Sequence, residues 1–359
     1  MAFLDATDWL DIQETNATNE KYFSELGLID AVKDSTPMTA EYILPSTRAK
    51  MNSLSSLRNA QIPVIKDQTV TVNTTPGFSF IPDNLPESDQ YTFTAVDVFS
   101  GFRFYPAQFD NNAMDANFTK QQVMKNVSYA MGNQIETLLT TTIETRKTQL
   151  LNFTTQVSQG DGTFSFNGAT DTLEVNKAAQ KETMFFNLNG LMDANEVPGQ
   201  YRLVTNRAGL AVQKSEAAKF GAGNEKNLQA LGMLGVDRMY ETGNIAPGSD
   251  IFNGYFFRDG ALGVIENFPF DFRNGTSFAG KEWSISPIEI PFTRMRANLY
   301  VNNEATDATA LVGAGTDTNL TMTHFEEMAI WIRFYIVYRY NSDLTTRVND
   351  VVKIKGLTT

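Results

Sequence analysis

Apolar residues recur at every fourth position between Thr119 and Leu151: Val123, Val127, Met131, Ile135, Leu139 and Ile143, with Met124, Leu138 and Leu150 widening the face. This spacing predicts a single amphipathic helix over 119–151. Thr119 followed by Gln122 reads as a capping-box start, and no proline interrupts the run. At about 1.5 Å per residue such a helix is roughly 50 Å long, against the ~30 Å diameter of a small domain. An element that outruns its own domain needs support from a neighbouring layer or a neighbouring subunit.

Ahead of the helix the pattern is extended. Val64, Val70 and Val72 mark a strand over Ile62 to Val72, and Tyr91, Phe93 and Ala95 alternate in a second over Tyr91 to Phe104. Between them Pro76-Gly77, Pro82-Asp83-Asn84 and Pro86 make a turn-rich tip. The pair reads as a long hairpin excursion with little core of its own, and a two-stranded ribbon is marginal alone in water. The first twenty residues are polar and acidic, an arm that orders against a partner, followed by a short helix from about Glu20 to Lys33 that Thr36-Pro37 ends.

Beyond the long helix the sequence gives a strand at Thr163 to Phe166, a turn at Asn167-Gly168, and helices over Val175 to Leu191 and Ala208 to Phe220. Short strands with tight turns follow at Tyr201 to Thr205, Gly232 to Met239, Gly248 to Arg258, Ala261 to Ile265, Glu282 to Ile288 and Ile290 to Tyr300. Met328 to Tyr340 carries the plainest strand signal, alternating Ile330, Ile332, Phe334, Ile336 and Tyr338 against Trp331, Arg333, Tyr335, Val337 and Arg339. Val348 to Ile354 adds one more.

Composition narrows the chemistry. An apolar fraction of 42% over 359 residues supports substantial cores. No window is long and apolar enough for a membrane helix, and the acidic first residues are unlike a signal peptide. With no cysteine, disulfides, zinc clusters and thiol catalysis are excluded. The one histidine, His324, reads as structural, and neither a Walker loop, a nucleophile elbow nor a His-Glu-x-x-His motif occurs. Glu326 and Glu327 are adjacent, so on a strand they face opposite sides and cannot pair as acid and base. The expectation is no enzyme, no catalytic residue, no cofactor and no metal. The aromatic residues, 26 Phe, 12 Tyr and 3 Trp, read as core and interface packing.

A net charge of -12 argues against broad contact with a nucleic-acid backbone. Its distribution suggests a contact between copies. The hairpin carries Asp83, Glu87 and Asp89, and the helix carries Lys120, Lys125, Arg146 and Lys147, so the acidic hairpin of one subunit would complement the basic helix of the next.

The order of arm, hairpin excursion, long helix, glycine-punctuated mixed lobe and closing strands resembles the major capsid proteins of tailed bacteriophages, the Hong Kong 97-like fold. Tyr201-Arg-Leu-Val-Thr-Asn-Arg207 and Ile245-Ala-Pro-Gly-Ser-Asp-Ile251, followed by Phe252-Asn-Gly-Tyr-Phe-Phe257, look like that family's mixed-lobe segments. The resemblance implies an α+β fold with an N-terminal arm over 1–60, an extended loop over 61–112, and a peripheral domain over 113–198 with its spine helix at 119–151. An axial domain over 199–323 and closing strands over 324–359, shared between the two domains, complete it. It also implies a virion protein that self-assembles in the bacterial cytoplasm, as hexamers and pentamers, into an icosahedral shell around double-stranded DNA. Separate scaffold, portal and decoration proteins would be its partners, with no membrane. An encapsulin-type compartment shares this architecture. A carbohydrate-active enzyme or adhesin on the aromatic-rich lobe is the alternative from another class.

Overall fold

The computed structural model describes residues 26–35, 49, 51, 59–65, 88–104, 116–149, 164–177, 184–195, 197, 199–209, 236–246, 252–267, 276–278, 281–307, 323–338 and 349–358. Its elements form two sheets joined by one long helix, an α+β arrangement. The tip of the hairpin, Asp83 and Glu87 included, and the helix expected over Ala208 to Phe220 lie outside the described residues, apart from the latter's first two positions.

The first sheet runs β1 (Asn59–Ile65), β2 (Ser88–Phe104), β12 (Thr323–Tyr338), β11 (Met295–Asp307), β10 (Lys281–Ile290), β9 (Thr276–Phe278), with β8 (Leu262–Asn267) also on β12. All its pairings are antiparallel. β12, the strand with the plainest alternation, is its central member: β2 holds one edge over Glu326 to Tyr335, while β11 and then β8 share the other. Its even positions, Met328 to Ile336, enter the main core. Tyr335 and Val337 face a smaller cluster with Met51, Ala60, Phe93 and Ile265 on the opposite side.

The second sheet runs β3 (Phe164–Asn167), β4 (Thr172–Val175), β13 (Val351–Gly356), β7 (Phe252–Arg258), β5 (Tyr201–Thr205), β6 (Val236–Glu241). It is mixed, with β4–β13 and β5–β6 parallel. One face, with Leu203, Phe256, Val352 and Ile354, packs on helix α3 (Met184–Ala194); the other, with Val204, Tyr255, Phe257 and Val351, joins the main core. The helix expected over Val175 to Leu191 is therefore β4 followed by a helix that starts at Met184.

Two features of the sheets bear on the sequence reading. Segment 199–323 is divided between the sheets: β5 to β7 belong to the second, β8 to β11 to the first. The crossing is the β7–β8 turn, where Gly260 takes φ 80, a conformation that favours glycine. The hairpin is also not coreless. Residues Ala95 to Phe104 of β2 are hydrogen-bonded to β12, which lies more than 220 residues further on, as in the pair Phe104 with Glu326. Only Ser88 to Thr94, paired with β1, form a ribbon outside that contact.

The long helix, α2 (Ala116–Arg146), spans 31 residues, about 46 Å by its rise per residue. It starts before Thr119, so Thr119 and Gln122 sit within it and form no capping box, and it ends five residues short of Leu151. Its deepest row is Lys120, Met124, Ser128, Met131, Ile135, Leu139 and Ile143, whereas Val123 and Val127 are only half buried. A strict step of four advances roughly 40° around a helix, so the ladder read from sequence winds off its face. The buried row contains one step of three, from Ser128 to Met131, which brings it back. Helix α1 (Gly27–Asp34) crosses α2 beneath this row and buries Leu28, Ile29 and Ala31.

Candidate functional site

The residues proposed from charge are not a free basic face. Lys120 is 2% exposed; its Nζ donates to Glu326 Oε2 at 2.5 Å and lies 4.4 Å from the centre of the Phe104 ring. Arg146 donates to the Tyr91 hydroxyl at 2.7 Å and the Tyr338 hydroxyl at 2.6 Å, with its guanidinium 3.9 Å from the Tyr338 ring centre. Lys147 donates to Glu144 Oε1 at 2.6 Å and to the Thr170 carbonyl at 2.8 Å. Lys120, Arg146 and Lys147 thus have partners within their own subunit. Lys125 is half buried on the same helix, and Asp89 lies on β2 opposite Val64.

The physical reason is that a cation near an apolar stripe buries its stem easily and then needs an acceptor. β12 supplies one for Lys120. Glu326 and Glu327 do face opposite sides: Glu326 meets Lys120 under the helix, while Glu327 accepts from Arg103 at 2.9 Å on the outer face.

These contacts make α2 a strut fixed at both ends. Its start is tied to the first sheet through Lys120, Glu326 and Phe104. Its end is tied to the second sheet around Glu144, which accepts from Lys147, from Lys353 at 2.9 Å and from the Tyr255 hydroxyl at 2.6 Å. Burial pushes the Glu144 carboxyl up, but these three donors outweigh it and hold the group down at about 2; burial and Glu144 together push the Tyr255 hydroxyl well up. Thr148 closes the end by donating its hydroxyl to the Asn349 carbonyl at 2.8 Å and its amide to the Val351 carbonyl at 2.7 Å.

Midway along the strut is a third junction. Glu136, fully buried, accepts from the Leu28 amide at 2.7 Å and from the Asn244 side-chain amide. Leu28 stands in the first turn of α1, whose N-cap residue Leu26 offers no side-chain cap, so a carboxylate from another helix takes that role. Burial first, then the nearby Asp30 charge, raises Glu136 to about 7 against the opposing hydrogen bonds. Burial likewise raises Asp30 to about 6. No local sequence signal marks Glu136, because its partners lie 108 residues away on either side.

The outer face of the first sheet carries an aromatic row. Phe99 is 67% exposed, the one large hydrophobic side chain so exposed among the described residues, and is paired across strands with Trp331. Trp331 lies 6.1 Å from Tyr300, which lies 6.5 Å from Trp283, ring centre to ring centre. Asp97 organises this face by accepting from Arg333 at 2.6 and 3.2 Å and from the Trp331 indole at 3.1 Å. Of this row only Phe99 stands open to solvent; Trp331 and Trp283 are half buried and Tyr300 is buried. Among the described residues no cluster of acidic or histidine side chains suits a metal ion, and no helix is long and apolar enough to cross a membrane.

No protein-family model matches the chain, and no curated protein matches it. Among solved structures it resembles one titled Mycobacterium phage Adephagia at 11% identity, over 87% of this chain and 90% of that one, with a TM-score of 0.45. A capsid structure of the cyanophage P-SCSP1u is similar at 11% identity over 86% of both chains, TM-score 0.45. The asymmetric unit of the bacteriophage PhiM1 mature capsid is similar at 11% identity over 86% of this chain and 84% of that one, TM-score 0.44. These are likenesses in outline, and they decide nothing about what the chain does.

Proposed function

We propose that this chain is a structural shell subunit, a major capsid protein of the tailed-phage type that self-assembles into an icosahedral particle around double-stranded DNA. The observation that carries the reading is the ribbon of β1 with Ser88 to Thr94, which runs on from a sheet whose outer face exposes Phe99, beside a strut that ties both sheets together. A two-stranded ribbon gains little stability by itself in water. A second copy supplies the surface it needs, and contacts of this head-to-tail kind close into rings and shells. A net charge of -12 suits a wall that encloses DNA without gripping it.

In this reading the ribbon is the base of the extended loop, α2 is the spine of a peripheral domain, and the second sheet with α3 forms the axial domain. Hexamers and pentamers are the building units in a virion assembled in the bacterial cytoplasm, with scaffold and portal as separate partners. Sedimentation velocity on the purified full-length chain tests it. The expected result is a concentration-dependent shift from the 40.0 kDa subunit to rings and larger closed species. A single 40.0 kDa boundary at every concentration would overturn it.

A further inference from the structure

We infer that Pro63 closes the outer edge of β1 to strand addition by a second copy of this chain, so that the ribbon of β1 with Ser88 to Thr94 meets other chains through its faces and not through that edge. This goes beyond the shell reading and does not depend on it, because it follows from the register of the ribbon.

Strand β1 ends the first sheet on its side, so among the described residues no strand lies beyond it. Its seven residues, Asn59-Ala-Gln-Ile-Pro-Val-Ile65, carry no charge. Ile62, Val64 and Ile65 are β-branched, and the nearest charges stand outside the strand, at Arg58 before it and at Lys66 and Asp67 after it. A short uncharged segment with this β-branched content, placed on a sheet edge, is a template for pairing with another chain. Pro63 is the one residue within it that has no amide hydrogen to give to a ladder.

The register shows which edge the proline acts on. β1 pairs with β2 without a break from Asn59 opposite Thr94 to Ile65 opposite Ser88, and Pro63 stands opposite Gln90 inside that run. In an antiparallel pair each residue turns its amide and its carbonyl to the same edge, and successive residues alternate between the two edges. An unbroken ladder through a proline therefore places it where no bond to the partner strand is made, with its nitrogen turned outward. Asn59, Gln61 and Ile65 share that parity and turn outward with it, while Ala60, Ile62 and Val64 carry the bonds to β2. The same alternation sets the faces: Asn59, Gln61 and Pro63 are exposed, whereas Ala60 is buried with Phe93 and Tyr335. A strand arriving at the outer edge meets donors at Gln61 and Ile65 but a pyrrolidine ring between them, where its own carbonyl finds no partner. In a two-fold pair of β1 edges that loss occurs twice.

Hydrogen exchange of the full-length chain, followed at the outward amides of Asn59 and Ile65 over a series of protein concentrations, tests this. In Pro63→Val, which restores a donor at an exposed position, protection of these amides is expected to rise on the order of 10-fold with concentration, and in the wild type it is expected not to rise. Moving the proline by two residues, in the double variant Gln61→Pro with Pro63→Val, keeps it on the outward parity and is expected to abolish the rise. Equal protection in wild type and Pro63→Val at every concentration, or a rise that survives in the double variant, would overturn the proposal. Pro63→Thr gives the same reading if Pro63→Val does not fold; failure of both to fold would overturn it as well, by making Pro63 part of what holds the ribbon itself.

Discussion

Lys120→Ala is expected to destabilise the chain by about 3–5 kcal/mol, because it leaves Glu326 buried and without its cation. Glu326 is 7% exposed on the central strand of the first sheet and cannot reach water without disturbing β12. The same substitution removes the cation from the Phe104 ring and opens a space beneath the first turns of α2. Replacing both partners, Lys120→Met with Glu326→Leu, is expected to recover most of the loss, since apolar side chains of similar size fill the space and bury no charge. Urea unfolding at neutral pH checks both variants. A single variant within about 1 kcal/mol of wild type, the range of an exposed pair, would mean that Lys120 is a surface residue after all.

Leu139→Ala is expected to cost about 2–5 kcal/mol, the range for a leucine deleted from a packed core. Leu139 has no exposed surface and lies in the cluster where α2 meets both sheets, so the cavity has no simple way to collapse. Val123→Ala, on the same sequence ladder but half buried, is expected to cost about 1 kcal/mol or less. Chemical denaturation of the two variants in parallel distinguishes the buried row with its step of three from the uniform ladder of fours. Equal losses at the two positions would favour the uniform ladder.

These contrasts show where the sequence is informative. Elements whose signal is local are legible: the alternation of β12, the strand Tyr201–Thr205 and the long helix itself all follow from period and composition. What depends on distant pairing is not. Nothing near Lys120 in sequence indicates that Glu326 waits 206 residues away, so its charge read as free surface. Nothing in the hairpin indicates that half of β2 is completed by β12, so the excursion read as coreless. The division of 199–323 between two sheets has the same origin, because Gly260 marks a turn but not a change of sheet. The junction at Glu136 was silent for a further reason: a glutamate on a helix reads as solvated until α1 and Asn244 are folded over it.

The proposed association between copies of this chain rests on the ribbon beside the doubly anchored helix. Electron microscopy of the purified full-length protein, or of lysate containing it, tests that most directly. Isometric shells of uniform diameter, or closed rings that mature into them, are the expected result. Dispersed 40.0 kDa particles that persist at high protein concentration would contradict it.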